Sequence, residues 1–406
     1  MRPALAEIQP AGWPPPVPGV SAGGFLAAVD ESRPAAESAV LRYRDAVRLA
    51  VDDAEDRRLK ELLGTTSIRE GLRLTSLGVH RDVRIDVLDE TSLMRTGTLK
   101  SIDGCVTIAH CVARGHRGIV FESGANTGTA LTVYGGRSGL ETFLFVPAEN
   151  LDLLDGEAFA GPAAHVFAVD RPGDVKGAAA AFAAERGLPR VPELAWRIQA
   201  STFVGCYLLE QMLAGARFDV LAQSISAGFG PIGIYRVLGA HRGALGELPA
   251  FLGVQQAANA PMVDAWRETP GGSAGPVGST RDLLARVMYD GEPGTYGTLE
   301  PLRAVLAESG GTLETVDAGE FGRAIATRLD GRPLLEALAA CDIRIATRDD
   351  GTLLDKTGLL ALAGTVRAID AGRIAPGSRV LVCLTGGTAR PRGRVEARRW
   401  DGARVG

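Results

Sequence analysis

Along most of this chain, short apolar runs rich in β-branched residues alternate with longer segments of helical spacing. "DVRIDVLDE", "RGIVFES", "ETFLFVP" and "AAHVFAVD" read as strands, and so do "FDVLAQSI", "AFLGVQ" and "RVLVCLTG". "CVTIAHCVARG", "TALTVYGGRSG", "DVKGAAAAFAAERG" and "TFVGCYLLEQMLAGA" read as helices. From about Ser38, "SAVLRYRDAVRLAVDDAEDRRLKELL" also predicts a helix. Residues 1–20 break the pattern: Pro3, Pro10, Pro14, Pro15, Pro16 and Pro18 predict an extended, helix-poor arm. Strands alternating with helices imply parallel sheets covered on both faces. One such group lies before about residue 200 and another after it, which predicts two α/β domains.

Composition narrows the class. Hydrophobic residues make up 46% and charged residues 23% of the 406, as in a soluble globular protein of two or three domains. A net charge of −4 gives no electrostatic reason for a nucleic-acid or anionic-membrane partner. The five cysteines, Cys105, Cys111, Cys206, Cys341 and Cys383, are odd in number and lack C-x-x-C spacing. That points to buried thiols in a reduced, cytoplasmic chain. The opening residues lack the basic-then-apolar order of a signal peptide, and no apolar run approaches the ~20 residues of a spanning helix. The histidines form no H-E-x-x-H or comparable cluster, so no metal site is expected, and His110 reads as a packing residue.

The stretch "SISAGFGPIGIYRVL" begins at Ser224 and sets Gly228, Gly230 and Gly233 as G-x-G-x-x-G between a strand and a helix. A dinucleotide site needs an acid at the end of the next strand to hold a ribose. That strand, in "AFLGVQQAANAP", ends in Gln255 and Gln256, and Glu247 lies before it. The nicotinamide reading therefore fails. What remains is a turn that directs several backbone N–H groups at one point, with a helix dipole behind them and Pro231 in the first turn. Such a turn either cradles a single phosphate or is a tight strand–helix connection.

Three further features add chemistry: Lys100 in "LMRTGTLKSIDG", Asn126 in "FESGANTGTALTVYGG" and Thr385 in "VLVCLTGGTARP". Singly they read as a surface lysine, an αL turn and a strand end. With the glycine loop they supply what pyridoxal 5′-phosphate needs. These are an amine for a Schiff base, an amide for the phenolic oxygen, a helix start for the phosphate and a hydroxyl for the pyridine nitrogen.

The same residues carry a family resemblance. "TGTLKS" is similar to the P-T-G-S-F-K-D segment of pyridoxal-phosphate enzymes of fold type II, "SGANTG" resembles their S-x-G-N-T-G loop, and "SAGFGPIG" resembles their phosphate loop. The threonine synthase and cysteate synthase branch fits best, on "FLGVQQAANAPMVDAW", "FVPAENL" and the segment ending in "LTGGTARP". The resemblance implies a tryptophan synthase β-like fold of two mostly parallel, three-layer α/β domains. Residues 38–100 and 201–406 would form the larger cofactor domain, residues 101–200 the smaller one, and residues 1–37 an N-terminal arm. It implies Lys100 as Schiff-base lysine and proton carrier, and Asn126 on the cofactor's 3′-oxygen. Ala227, Gly228, Phe229 and Gly230 would wrap the phosphate, and Thr385 would meet the pyridine nitrogen. Ser123, Gly124, Ala125 and Thr127 would hold the substrate carboxylate, largely through backbone N–H groups, with Thr96 and Thr98 on the substrate side. A homodimer is the expected assembly.

Departures from the family pattern bear on the substrate. Arg95 stands where the family has proline, Leu99 replaces phenylalanine, Ser101-Ile102 replaces Asp-Arg, and Ala125 replaces glycine. Arg95 is either a cation for an anionic substrate tail or a surface arginine. The expected reaction is elimination or replacement on a small amino acid with an activated side chain, O-phosphorylated or similar. A β-leaving group would resemble cysteate synthase and a γ-leaving group threonine synthase. The missing Asp-Arg pair favours a specialised replacement enzyme over threonine synthase proper, which takes O-phosphohomoserine to threonine. A catalytically silent pyridoxal-phosphate-binding relative is the reading from another class, and intact Lys100, Asn126 and Thr385 count against it.

Overall fold

The computed structural model describes residues 21–267, 279–291 and 297–401. The chain enters through the short helices α1 (Ala22–Ala27) and α2 (Ala39–Arg42), then α3 (Asp53–Thr66). The helix expected from Ser38 is thus two helices. Asp56 turns back to accept the Leu49 N–H at 2.6 Å, and Asp52 caps α3 by accepting the Ala54 and Glu55 N–H groups at 2.9 Å. These side-chain acceptors offer the backbone an alternative to a continuous helix. The prolines of residues 1–20 lie outside the described residues. The rest of the expected arm, residues 21–37, is mostly exposed but anchored through Phe25, which is fully buried, stacked on Tyr43 and edge-on to His241.

A hairpin follows, β1 (Arg73–His80) and β2 (Val83–Asp89), and then α4 (Lys100–Ala113). Next come β3 (Gly118–Glu122), α5 (Asn126–Arg137), β4 (Glu141–Pro147), β5 (Ala164–Val169), α6 (Val175–Arg186) and α7 (Leu194–Leu213). The last part holds β6 (Val220–Ser224), α8 (Phe229–Ala240), β7 (Ala250–Gln256), β8 (Thr312–Val316), the two-residue strands β9 (Arg328–Leu329) and β10 (Arg332–Pro333), β11 (Arg379–Leu384) and β12 (Arg398–Arg399). All seven strands read from the sequence are present. The pattern missed β1, which bulges between Ser76 and Gly78, and β8, which is five residues long with glutamate at its centre.

Two sheets result. The larger runs β1-β2-β11-β6-β7-β8, parallel except for the β1–β2 hairpin, and the smaller runs β12-β5-β4-β3, all parallel. Their central strands are buried on both faces. In β11, Leu381 and Cys383 join one apolar cluster and Val380, Val382 and Leu384 the other. In β4, Leu144 and Val146 face α4 and α5, while Phe145 packs with Phe182 of α6. These are the mostly parallel, helix-covered layers the alternation predicts.

The expected domain limits need three corrections. A division at residue 100/101 separates Lys100 from the helix it begins, and one at 200/201 cuts α7 in two. A helix is a rigid hydrogen-bonded rod, so neither point is a hinge. The end of the chain returns to the smaller sheet, where β12 pairs with β5 and Trp400 packs edge-on to Phe145 and Phe167.

The singled-out histidine is a core residue. His110 Nε2 lies 2.8 Å from Gln199 Oε1, the ring stacks on Trp196 at 4.7 Å, and burial lowers its pKa to about 4. Among the described residues no helix is long and apolar enough to cross a membrane.

The helices α7 and α8 explain the last glycine of the G-x-G-x-x-G. A Cβ at Gly233 would stand 2.5 Å from Ser201 Cβ and 2.6 Å from the Ile198 carbonyl, both in α7. Gly233→Ala is expected to destabilise the fold by about 1–3 kcal/mol through overpacking, more than its gain in helix propensity returns. Urea unfolding of the two proteins measures the difference, and an unchanged midpoint would contradict it.

Candidate active site

Parallel strands end on one edge of a sheet, and the crevice there is where open α/β folds bind ligands. In the larger sheet the adjacent strands β2, β11 and β6 end at Asp89, Leu384 and Ser224. The lysine turn, the Thr-Gly-Gly turn and the glycine loop all lie just beyond those ends.

Lys100 is the first residue of α4, and hydroxyls hold the turn before it. The Thr96 N–H donates to Ser101 Oγ at 3.0 Å and the Lys100 N–H to Thr98 Oγ1 at 3.3 Å. The Leu99 N–H donates to the Thr385 carbonyl at 3.1 Å, and the Thr388 hydroxyl donates to the Gly97 carbonyl at 3.2 Å. The lysine turn and the end of β11 are therefore one piece. Lys100 Nζ lies 2.6 Å from Asp103 Oδ2, one helical turn on. Thr385 is buried, its hydroxyl 3.3 Å from that of Ser224.

After β6 the chain turns through Gly228, whose φ of +78° is the left-handed region that glycine adopts without strain. Gly228 precedes the first turn of α8, whose N–H groups lack intrahelical acceptors, as at any helix start. Ala227 and Phe229 are buried beside it, and Gly230 shares a small crevice with Leu99 and Asp103. The loop thus meets the lysine helix, as expected.

The Ser123–Thr127 loop differs in detail from the expectation. Ser123 Oγ accepts the Ala125 N–H at 3.1 Å and the Gly128 N–H at 2.9 Å, so the Ala125 N–H counted for a carboxylate is already engaged. The Gly124 carbonyl accepts from Asn150 Nδ2 at 2.9 Å, and Val287 covers that glycine so closely that a Cβ would meet its carbonyl at 2.7 Å. Thr127 is buried in the first turn of α5. Asn126 and Thr129 are the residues of this segment that reach the cavity.

That cavity, about 370 Å³, is also lined by Arg95, Thr96, Gly97, Arg344 and Arg390. Thr96, expected on the substrate side, lines this cavity. Thr98 is buried and serves the turn instead. The sequence reading missed Asp355, whose Oδ2 lies 3.3 Å from Asn126 Nδ2 and which is 229 residues away in the chain. It also missed Asp103, although an acid one helical turn after the lysine is visible in "LKSIDG".

A family described as pyridoxal-phosphate dependent enzyme matches residues 64–386. The chain belongs to that family. It is 27% identical over 300 residues to cysteate synthase of Methanosphaerula palustris, covering 72% of this chain and 67% of that protein. Among solved structures it is similar to a pyridoxal 5′-phosphate-dependent aspartate racemase, at 15% identity and a TM-score of 0.59, over 82% of this chain and 95% of that one. Diaminopropionate ammonia lyase from Escherichia coli is 14% identical, with a TM-score of 0.58, over 83% and 89%. The fold is that of fold type II pyridoxal-phosphate enzymes.

The donor set fits this cofactor. Lys100 offers an amine, Asn126 an amide, Thr385 a hydroxyl, and Gly228 with the start of α8 a cradle for phosphate. Borohydride reduction in the presence of pyridoxal phosphate, followed by peptide mapping, is expected to place the label on Lys100. A label on another lysine would refute the assignment. Gly228→Val is expected to lose most of its cofactor on dialysis, because a β-branched residue resists φ of +78°. Full retention, measured by absorbance, would remove the loop from the site.

Proposed function

We propose that the protein catalyses replacement or elimination on a small amino acid whose side chain ends in an anionic leaving group, a phosphate ester or a close analogue. One observation carries this reading. Arg95, Arg344 and Arg390 line a single cavity next to Asn126, and none has an ion-pair partner among the described residues. Asp342 shares the lining, while Asp155 is held with Arg392. Several arginines elsewhere are paired: Arg286 and Arg348 meet Asp152, Arg379 meets Asp86, and Arg367 meets Glu314. Three exposed guanidiniums around one opening raise its potential, and their planar forks suit oxyanions. The cofactor's own phosphate belongs at the start of α8, so the mouth serves a second anion. The cysteate synthase relative is named for an amino acid with an anionic side chain, which supports a synthase over a racemase or an ammonia lyase.

Pyridoxal phosphate, when bound, supplies an electron sink for negative charge at the substrate's α-carbon. The chain supplies the rest. Lys100 Nζ holds the cofactor at rest and carries the α-proton when substrate displaces it. Asn126 would orient the ring, the remaining free N–H groups of the Ser123–Thr127 turn would receive the substrate carboxylate, and the arginines would hold the leaving group. Val287 and Asn150 pack over the turn and limit access of water there.

Phosphate release from O-phosphoserine or O-phosphohomoserine tests the reading and separates β- from γ-chemistry. Arg95→Ala, Arg344→Ala and Arg390→Ala are each expected to raise KM for the phosphorylated substrate about tenfold, the size of one lost charge-assisted contact. KM for O-acetylserine should stay unchanged. Turnover of O-acetylserine with no phosphate released from either ester would overturn the anionic leaving group. Cofactor binding without a spectral response to any of the three would leave a silent relative.

A further inference from the structure

Behind Lys100 lies a cluster of ionisable groups that the proposed chemistry does not use. Asp103 is 3% exposed, and its carboxylate meets Lys100 Nζ at 2.6 Å. Past Asp103 is a small crevice lined by Glu90, Ile102, Ser201, Gln223 and Gly230. Glu90 is 1% exposed and its Oε1 has no hydrogen-bond partner, and neither has Gln223 Oε1. The ammonium is thus drawn along its own helix toward the interior, where an anion without a mate would be unfavourable. A lysine that bonds a carbonyl in the cleft must first leave this partner.

We propose that Asp103 is a positioning residue, the resting anchor of Lys100, which keeps the ammonium inside the fold until a carbonyl compound enters the cleft. This rests on the reading of Lys100 as the residue that bonds the cofactor. The anchor competes with the cofactor for one amine, so it sets how fast the cofactor-free chain loads. It also gives the lysine a place to return to whenever it is released.

Glu90 sets the strength of the hold. Its carboxyl is pushed up to about 8 by burial, opposed by a hydrogen bond with Cys383 and by Lys100, and reinforced by Asp89 and Asp103. Those are the charged and titratable groups that face it: Lys100 and Asp103 from α4, Asp89 from β2 and Cys383 from β11. The Cys383 thiol is itself pushed well above its ordinary range by burial and by Glu90. A raised carboxyl stays protonated below that value, so at pH 7 Lys100 faces the single charge of Asp103. Above about pH 8 Glu90 ionises, a second negative charge joins the cluster, and the hold tightens.

Cofactor-free protein mixed with excess pyridoxal phosphate, followed by absorbance from pH 6.5 to 9, reads the anchor without any turnover. Borohydride and peptide mapping confirm the lysine involved. Asp103→Asn is expected to capture the aldehyde several-fold faster at pH 7, a gain that mere damage to the pocket would not produce. The wild-type rate is expected to level off above pH 8, while Glu90→Gln matches it within twofold at pH 7 and keeps rising with pH. Capture by Asp103→Asn at the wild-type rate or slower, on Lys100 and with unchanged thermal unfolding, would overturn the anchor. Identical pH profiles for wild type and Glu90→Gln would overturn the role of Glu90, and that comparison decides alone if Asp103→Asn does not fold. A wild-type label away from Lys100 would refute the site assignment itself, a result distinct from either.

Discussion

The backbone hydrogen bond from the Leu99 N–H to the Thr385 carbonyl ties together the two parts of the chain on which the site is built. It pins the start of α4, and so Lys100, to the end of β11, 286 positions later in the numbering (385 minus 99). Next to it the Glu90 N–H donates to the Leu384 carbonyl, so β2 and β11 leave the sheet together. Parallel strands make this possible, because their ends share one edge and their connections cross elsewhere. The glycine loop after β6 is held from β7, where Gln255 Nε2 donates to the Ile225 and Ser226 carbonyls at 3.3 Å. A change that shifted β11 against β2 would move lysine and threonine together.

Electrostatics divides the site into an inner and an outer part. Inside, the chain offers a helix start and a lysine held on a buried acid, a setting with little net charge. Outside, the cavity mouth carries three arginines without ion-pair partners among the described residues. In the proposed reading, the inner anion is the cofactor's and the outer one is the substrate's. The relatives illustrate the division, since a synthase, a racemase and an ammonia lyase resemble one chain. The family fixes the cofactor, whereas a shared fold leaves the reaction open.

The two covers of the site differ in kind. The lysine turn is closed mainly by hydroxyl contacts two to five residues apart, which form as soon as the turn does. The Ser123–Thr127 turn is closed from a distance. Asn150 reaches the Gly124 carbonyl, Thr280 Oγ1 donates to Asn150 Oδ1 at 2.7 Å, and Val287 lies over Gly124. Segments 148–153 and 279–291 are locked together by Glu149, which accepts from Ser279 and Thr280, and by Arg286 on Asp152. Strain on that lock would reach the turn before it reached the lysine.

Much of this was legible in the residues alone. Runs such as "ETFLFVP" and "RVLVCLTG" declare buried parallel strands because both faces must be apolar, and all seven such runs became strands. Lys100, Asn126, Gly228 and Thr385 were found from local context, since a turn, a glycine with positive φ or a strand end has a signature a few residues long. The strands β1 and β8 were not found, being irregular or interrupted by polar residues. Tertiary structure alone decided which groups meet. Asp355 comes to Asn126 across 229 residues, Val287 covers Gly124, Arg344 and Arg390 join Arg95 at one mouth, and Glu90 closes off behind Lys100. The reason is physical: spacing along a strand or helix fixes which face a side chain takes, whereas its partner across a crevice depends on how the sheets are laid down. The sequence by itself determined the fold, the cofactor and the local turn that carries Lys100, and the packing of distant segments determined the charge that surrounds that turn.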